Sequence, residues 1–259
     1  VDAQGNLVGA ADKIDLERVD ARITFNVKAD GSVKGYKNMT FTPKYYRVEN
    51  IPQGTYLVPR ENEDYAATME TGYASMQAAG KEYYFDEAKR ENDDRSYFEF
   101  YLLENRRQPA KKITSDEINA SDPEQNLYAL REKRARTENT VDGTKPGQDY
   151  VPGDFIFAPA NATYVTIRGT LSFQDGTDFY HADVTYTVHL GSTGSNPDDE
   201  ELVNNYDVCR NTHYTYNVTI TGVESMRVEV VSDKEERPGV EGDVIKAGGE
   251  VVDLDSHYG

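Results

Sequence analysis

The residues best suited to chemistry at neutral pH are four histidines and one cysteine. An imidazole or a thiolate can ligate a metal, move a proton or attack a carbon. His181 and His189 share parity on one alternating run. Eight residues of strand place them about 27 Å apart, too far to share an ion. His213 sits on the polar side of another run, and His257 lies near the end. Cys209 is the sole cysteine, so no intrachain disulfide forms. Arg210 beside it would favour the thiolate, but no nucleophilic pairing is visible, and an inert small residue at a strand entrance is expected. Asp198, Asp199, Glu200 and Glu201 fall in a polar loop, a poor support for a preorganised acid–base pair. Asp253 and Asp255 lack the glycine and distal glutamate of a calcium loop. No phosphate-binding glycine loop, nucleophile elbow or HExxH pattern occurs. The expectation is a protein that is not an enzyme, with no catalytic residue, no cofactor and no metal.

Charge narrows the partners. The 259 residues carry a formal net charge of −18. Nucleic acid and anionic membrane surfaces both require a basic face, so neither is expected as a partner. No run approaches the roughly twenty apolar residues of a membrane span. The basic patch Arg131, Lys133, Arg134, Arg136 is read as a solvated helix face or loop. An exposed loop of this kind would offer Arg131, Arg134 and Arg136 to a trypsin-like protease.

The elements that must position these groups are strands. Val19, Ala21, Ile23, Phe25 and Val27 alternate with Asp20, Arg22, Thr24 and Asn26. Phe98, Phe100 and Leu102 repeat the pattern, as do Val165, Ile167, Leu171 and Phe173, with Gly169 in their register as a bulge or close-approach point. Asp175-Gly176 marks a hairpin turn, after which Tyr180 to Leu190 alternates. Tyr214, Tyr216, Val218 and Ile220 face one way, and Met226, Val228 and Val230 follow. A strand begun at Met39 and Phe41 is expected to end at Pro43 and resume at Tyr46. The strands after Phe155 are expected to form one antiparallel half of a sandwich. Short helices fit only the insertions, one of them capped by Ser121 or Asp122. The fold class is all-β, with antiparallel β-sandwich architecture. The expected organisation is 1–110 as an N-terminal β-sandwich part with an insertion at 62–95, 111–150 as a polar linker, and 151–259 as a C-terminal β-sandwich part.

The run RNTHYTYNVTITGVESMRVEV resembles the near-terminal signature of the Bacteroidetes fimbrillin-like family, of the DUF4906 type. LERVDARITFNV, FTPKYYRVENIPQGTYLVPR, FEFYLLENRR, ATYVTIRGTLSF, DVTYTVHLG and RPGVEGDVI resemble it in the same order. The resemblance implies Greek-key sandwich domains of the transthyretin-like type. It also implies a fimbrial (pilus) subunit or surface adhesin, exported through the periplasm as a lipoprotein precursor to the outer membrane. The chain starts at Val1 and shows no lipobox cysteine, so the resemblance implies a segment of a longer, processed precursor. In that family a strand from the next subunit completes an open sheet. Carried over, the exchanged segments would be the N-terminal arm and the tail residues Val244, Ile245, Val251 and Val252. The partners would be other fimbrial subunits or a surface ligand. The alternative is a carbohydrate-binding surface module, since the 19 tyrosines offer faces on which sugars stack.

Overall fold

The period-two runs become strands. β1 (Asp20–Ala29), β5 (Ser96–Leu103), β10 (Thr212–Gly222) and β11 (Ser225–Lys234) form one sheet in the order β11-β10-β1-β5. β2 (Lys37–Glu49), β8 (Tyr164–Asp175) and β9 (Asp178–His189) form a second, in the order β2-β8-β9. β3 (Ile51–Pro52) pairs with β4 (Tyr73–Ala74), and β6 (Arg134–Arg136) with β7 (Tyr150–Phe155). The α-helices among the described residues are single turns: α1 (Ser115–Asn119), α2 (Tyr128–Arg131) and α3 (Glu200–Val203). The computed structural model describes residues 18–57, 73–74, 96–119, 128–136, 150–191 and 200–234. The all-β sandwich is therefore as expected. The proposed cap at Ser121 or Asp122 and most of the 62–95 insertion lie outside the described residues.

Among the described strands every pair is antiparallel except β1 with β10, which run parallel with Phe25 opposite Tyr216. β1 thus lies between β10 and β5, and both sheets mix strands from 1–110 with strands from 151–259. The strands after Phe155 do not make one half-sandwich. The β8–β9 hairpin lies in one sheet and the β10–β11 hairpin in the other. Each hairpin has a single apolar face, and placing the two in opposite layers lets those faces contribute to one core.

That core holds Ile23, Phe25, Phe98, Phe100, Tyr216, Val218 and Ile220 from one sheet and Tyr46, Val48, Val165, Ile167, Tyr186 and Val188 from the other. Aromatic rings cross it. Phe25 stacks on Tyr216 at 4.7 Å and on Phe98 at 4.8 Å, and Phe98 stacks on Tyr46 of the facing sheet at 3.8 Å. Burial of each such side chain contributes about 1.5–3 kcal/mol.

Two local readings change. β2 runs through Pro43, which sits at a register shift before Tyr45; a bulge absorbs the missing N–H. Gly169 faces Pro43, and a Cβ there would fall 2.5 Å from Phe41 Cζ and 2.5 Å from the Thr42 carbonyl oxygen. It is the expected close-approach point. The stretch read as a polar linker also carries apolar anchors. Ile113 and Ile118 are buried with Phe157 and Val203. Thr114 and Glu117 cap α1 reciprocally: the Thr114 N–H donates to Glu117 Oε2 at 3.1 Å and the Glu117 N–H to Thr114 Oγ1 at 3.4 Å.

Candidate functional site

The residues first suspected of chemistry are dispersed. His181 Nδ1 lies 2.8 Å from Ser172 Oγ on an exposed face. His213 Nε2 lies 2.9 Å from Thr24 Oγ1 in the other sheet. His189 is buried, with Nδ1 2.7 Å from Glu132 Oε2 while its backbone N–H donates to Glu132 Oε1 at 2.6 Å. No group of three or more His, Cys, Asp or Glu able to hold a metal occurs among the described residues. Nor is any described helix long and apolar enough to cross a membrane.

Cys209 has a different neighbourhood from the one its sequence position implied. Burial pushes its thiol pKa up, and Asp207 adds to that. Arg210 turns away from the thiol. Its Nε donates to Glu104 Oε2 at 3.2 Å, and Nη2 donates to the Tyr56 carbonyl at 2.7 Å. The ion pair is nearly inaccessible and ties the end of β5 to the start of β10.

Arg131 corrects the exposed basic loop. Its residue exposure is 0%. It ends α2 and donates to the carbonyls of Val203, Asn205 and Leu190 at 2.8, 2.7 and 3.0 Å. A guanidinium carries enough N–H groups to satisfy several carbonyls at once, which is why an arginine is found there. Arg134, in β6, is partly buried, donates to Thr187 Oγ1 at 3.2 Å and lies 5.3 Å from the Phe155 ring centroid. Arg136 closes β6 opposite Tyr150. Sequence reasoning could not find this knot, because a buried arginine and a solvated one look alike in a charged run. Val244, Ile245, Val251 and Val252 lie outside the described residues.

Among the described residues, sheet margins and a cleft are open to interaction. Among the described strands, β11 and β5 bound the larger sheet, and β2 and β9 the smaller. β11 turns Met226, Val228 and Val230 toward the core and Val231 outward, 51% exposed. At the β8–β9 turn Phe179 is 71% exposed, beside a stacked column of Tyr36, Phe173 and Tyr180. The cleft lies between the segment after β5 and the segment joining α3 to β10, with Arg106, Lys112, Asn205 and Asp207 in its walls. Asp207 is mostly buried there, and burial raises its carboxyl pKa despite Arg106 at 3.7 Å.

No curated protein sequence matches the chain. Solved structures do, at low identity. The tip fimbrial protein Mfa3 from Porphyromonas gingivalis, with a C-terminal truncation, is 14% identical with a TM-score of 0.34, over 85% of this chain and 52% of that one. A candidate cell adhesion protein from Parabacteroides distasonis is 12% identical with a TM-score of 0.40, over 83% and 52%. Another from Bacteroides uniformis is 12% identical with a TM-score of 0.28, over 84% and 51%. The chain spans about half the length of these structures. At such scores the architecture is read from the strands themselves. Residues 100–218, from within β5 to within β10, match the family model described as Domain of unknown function (DUF4906), and over that segment the resemblance to DUF4906-type members is borne out.

Proposed function

We propose that this chain is part of a cell-surface fimbrial subunit or adhesin that acts by holding shape and joining neighbours. The observation that carries the reading is the make-up of the larger sheet. One of its two inner strands, β1, carries the DARITFNV part of the segment LERVDARITFNV, and the β10–β11 hairpin carries most of the segment RNTHYTYNVTITGVESMRVEV. Both runs resemble the fimbrillin-like pattern.

Assembly would use strand completion. A sheet margin whose inward side chains continue the core accepts a further strand by backbone hydrogen bonds, with alternate apolar residues setting register. The core-facing Met226, Val228 and Val230 of β11 fit that description. The tail residues Val244, Ile245, Val251 and Val252 and the N-terminal arm are the segments proposed for exchange. The partners would be other subunits or a surface ligand, at the cell surface after export, with 1–110 and 151–259 as the sequence portions framing the 111–150 connection.

The test is self-association. Purified chain, concentrated and run under mild denaturant, is expected to give concentration-dependent ladders, and Val251→Lys with Val252→Lys to abolish them. A strictly monomeric wild type over the same range would overturn the assembly reading.

A further inference from the structure

The cleft beside β5 has a volume of about 630 Å³. Charge is segregated within it. Its cations, Arg106, Arg107 and Lys112, all come from the segment after β5, and its carboxylates, Glu201 and Asp207, from the facing segment. Asn105 to Ser115 holds four cations and no carboxylate, a local inversion in a chain of net charge −18.

The walls are set by hydrogen bonds, most of them partly buried. Asn105, inaccessible to solvent, donates from Nδ2 to the Asn161 carbonyl and Thr163 Oγ1, and its Oδ1 accepts from Arg107 Nε at 3.1 Å. Asn204 joins the two walls: the Ile113 N–H donates to its Oδ1 at 2.7 Å, and its Nδ2 donates to the Ile113 carbonyl at 2.9 Å. Asp207 accepts the Arg107 N–H at 2.7 Å. Two groups in these walls are uncommitted among the described residues. Lys112 is exposed and has no ion-pair partner there, and Asn205 Nδ2 has no acceptor.

We propose that this cleft binds the carboxylate-bearing sugar residue of an acidic glycan. Lys112 takes the carboxylate within the positive field of Arg106 and Arg107. Asn205 Nδ2 donates to a ring oxygen or hydroxyl, and Glu201 accepts from hydroxyl groups. Pro109, also in the lining, offers an apolar face to the pyranose ring. The chemistry selects this class because each wall meets a different end of it. A bare anion would find no use for Glu201 and would be repelled by it, whereas a neutral sugar would leave Lys112 unused. The site is separate from strand exchange, so a chain that forms no ladders would still bind a uronate.

The experiment titrates the full chain with methyl glucuronide, followed by amide shifts in NMR spectra, with methyl glucoside, acetate, inorganic phosphate and glycine as controls. Shifts are expected at residues 106–112 and at Asn205. The glucuronide is expected to bind at least about tenfold tighter than any control, and Lys112→Glu to weaken it about tenfold. Rising salt should weaken it further. Lys112 is exposed, so an unchanged thermal melt is expected to separate lost binding from lost folding. Equal binding of the glucoside, or an unaffected Lys112→Glu variant, would overturn the proposal. Phosphate or acetate binding as tightly would mean an adventitious anion only, and tighter glycine would mean a zwitterion site; either result overturns it as well.

Discussion

The guanidinium of Arg131 lies 4.0 Å from the ring centroid of Tyr206 while donating to the carbonyls of Val203 and Asn205, which precede that ring in the chain. A third donation reaches Leu190, just after β9. One buried side chain therefore pins α2, the end of β9 and the approach to β10 together. Glu132, the next residue, holds both the ring and the backbone of His189.

Arg131→Ala should cost about 3–5 kcal/mol, because it leaves buried carbonyl oxygens without donors. Urea unfolding at neutral pH measures the loss. In the folded wild type, trypsin should leave the bond after Arg131 intact. Cleavage there under native conditions would contradict the burial of this residue.

Two buried tyrosines should respond in opposite ways to loss of a hydroxyl. Tyr216 donates to the Gly191 carbonyl at 3.0 Å and accepts the Gly191 N–H at 2.9 Å. Tyr216→Phe strands both groups and should cost about 1–3 kcal/mol. The Tyr206 hydroxyl is buried with no hydrogen-bond partner among the described residues, and burial pushes its pKa up to about 12. Tyr206→Phe should leave stability unchanged or raise it by about 1 kcal/mol. Denaturant midpoints of the two variants check the contrast.

Gly169→Ala should destabilise by about 1–3 kcal/mol through overpacking against the Phe41 ring and the Thr42 carbonyl. Gly176→Ala tests a different cause. Its φ is +60° in the β8–β9 turn with open space around the missing Cβ, so the cost, about 1 kcal/mol, should come from backbone strain alone. Pairing each with a Phe41→Leu background separates the two. Only Gly169→Ala should be relieved by the smaller side chain.

The polar face of the larger sheet should titrate in acid. Burial raises the Glu99 pKa, but hydrogen bonds from Arg22, Tyr97 and Thr24 outweigh it, and the net shift is downward. A carboxylate whose folded pKa lies below its unfolded value, about 4.3, stabilises the fold above that value. The contribution is lost as pH falls through the folded pKa. Glu99→Gln should therefore be less stable than wild type at pH 7, and the gap should close in more acidic solution. Unfolding at pH 7, 5 and 3 measures it; a gap that persists undiminished at pH 3 would exclude the ionised pair as its source.

Alternation by itself placed the long strands β1, β5, β8, β9, β10 and β11 and told which side of each faces the core. Ile23, Phe25 and Val27, or Tyr214, Tyr216 and Val218, are buried as their parity requires, because successive side chains point to opposite sides of a strand. Asp175-Gly176 likewise fixed a hairpin turn, since a tight turn needs a residue tolerant of positive φ. Pairing was beyond the sequence. Nothing in the apolar pattern of β1 states that β10 lies beside it in parallel, or that the two late hairpins belong to opposite sheets. An apolar face specifies only that it will be covered, and chain connectivity and packing choose by what. The same holds for charge. Arg131, Arg134 and Lys112 each belong to short basic runs, yet the first is inside, the second is half-covered and the third stands at a cleft. Burial of a charge depends on the carbonyls, rings and carboxylates that distant segments bring to it, and only the folded chain brings them.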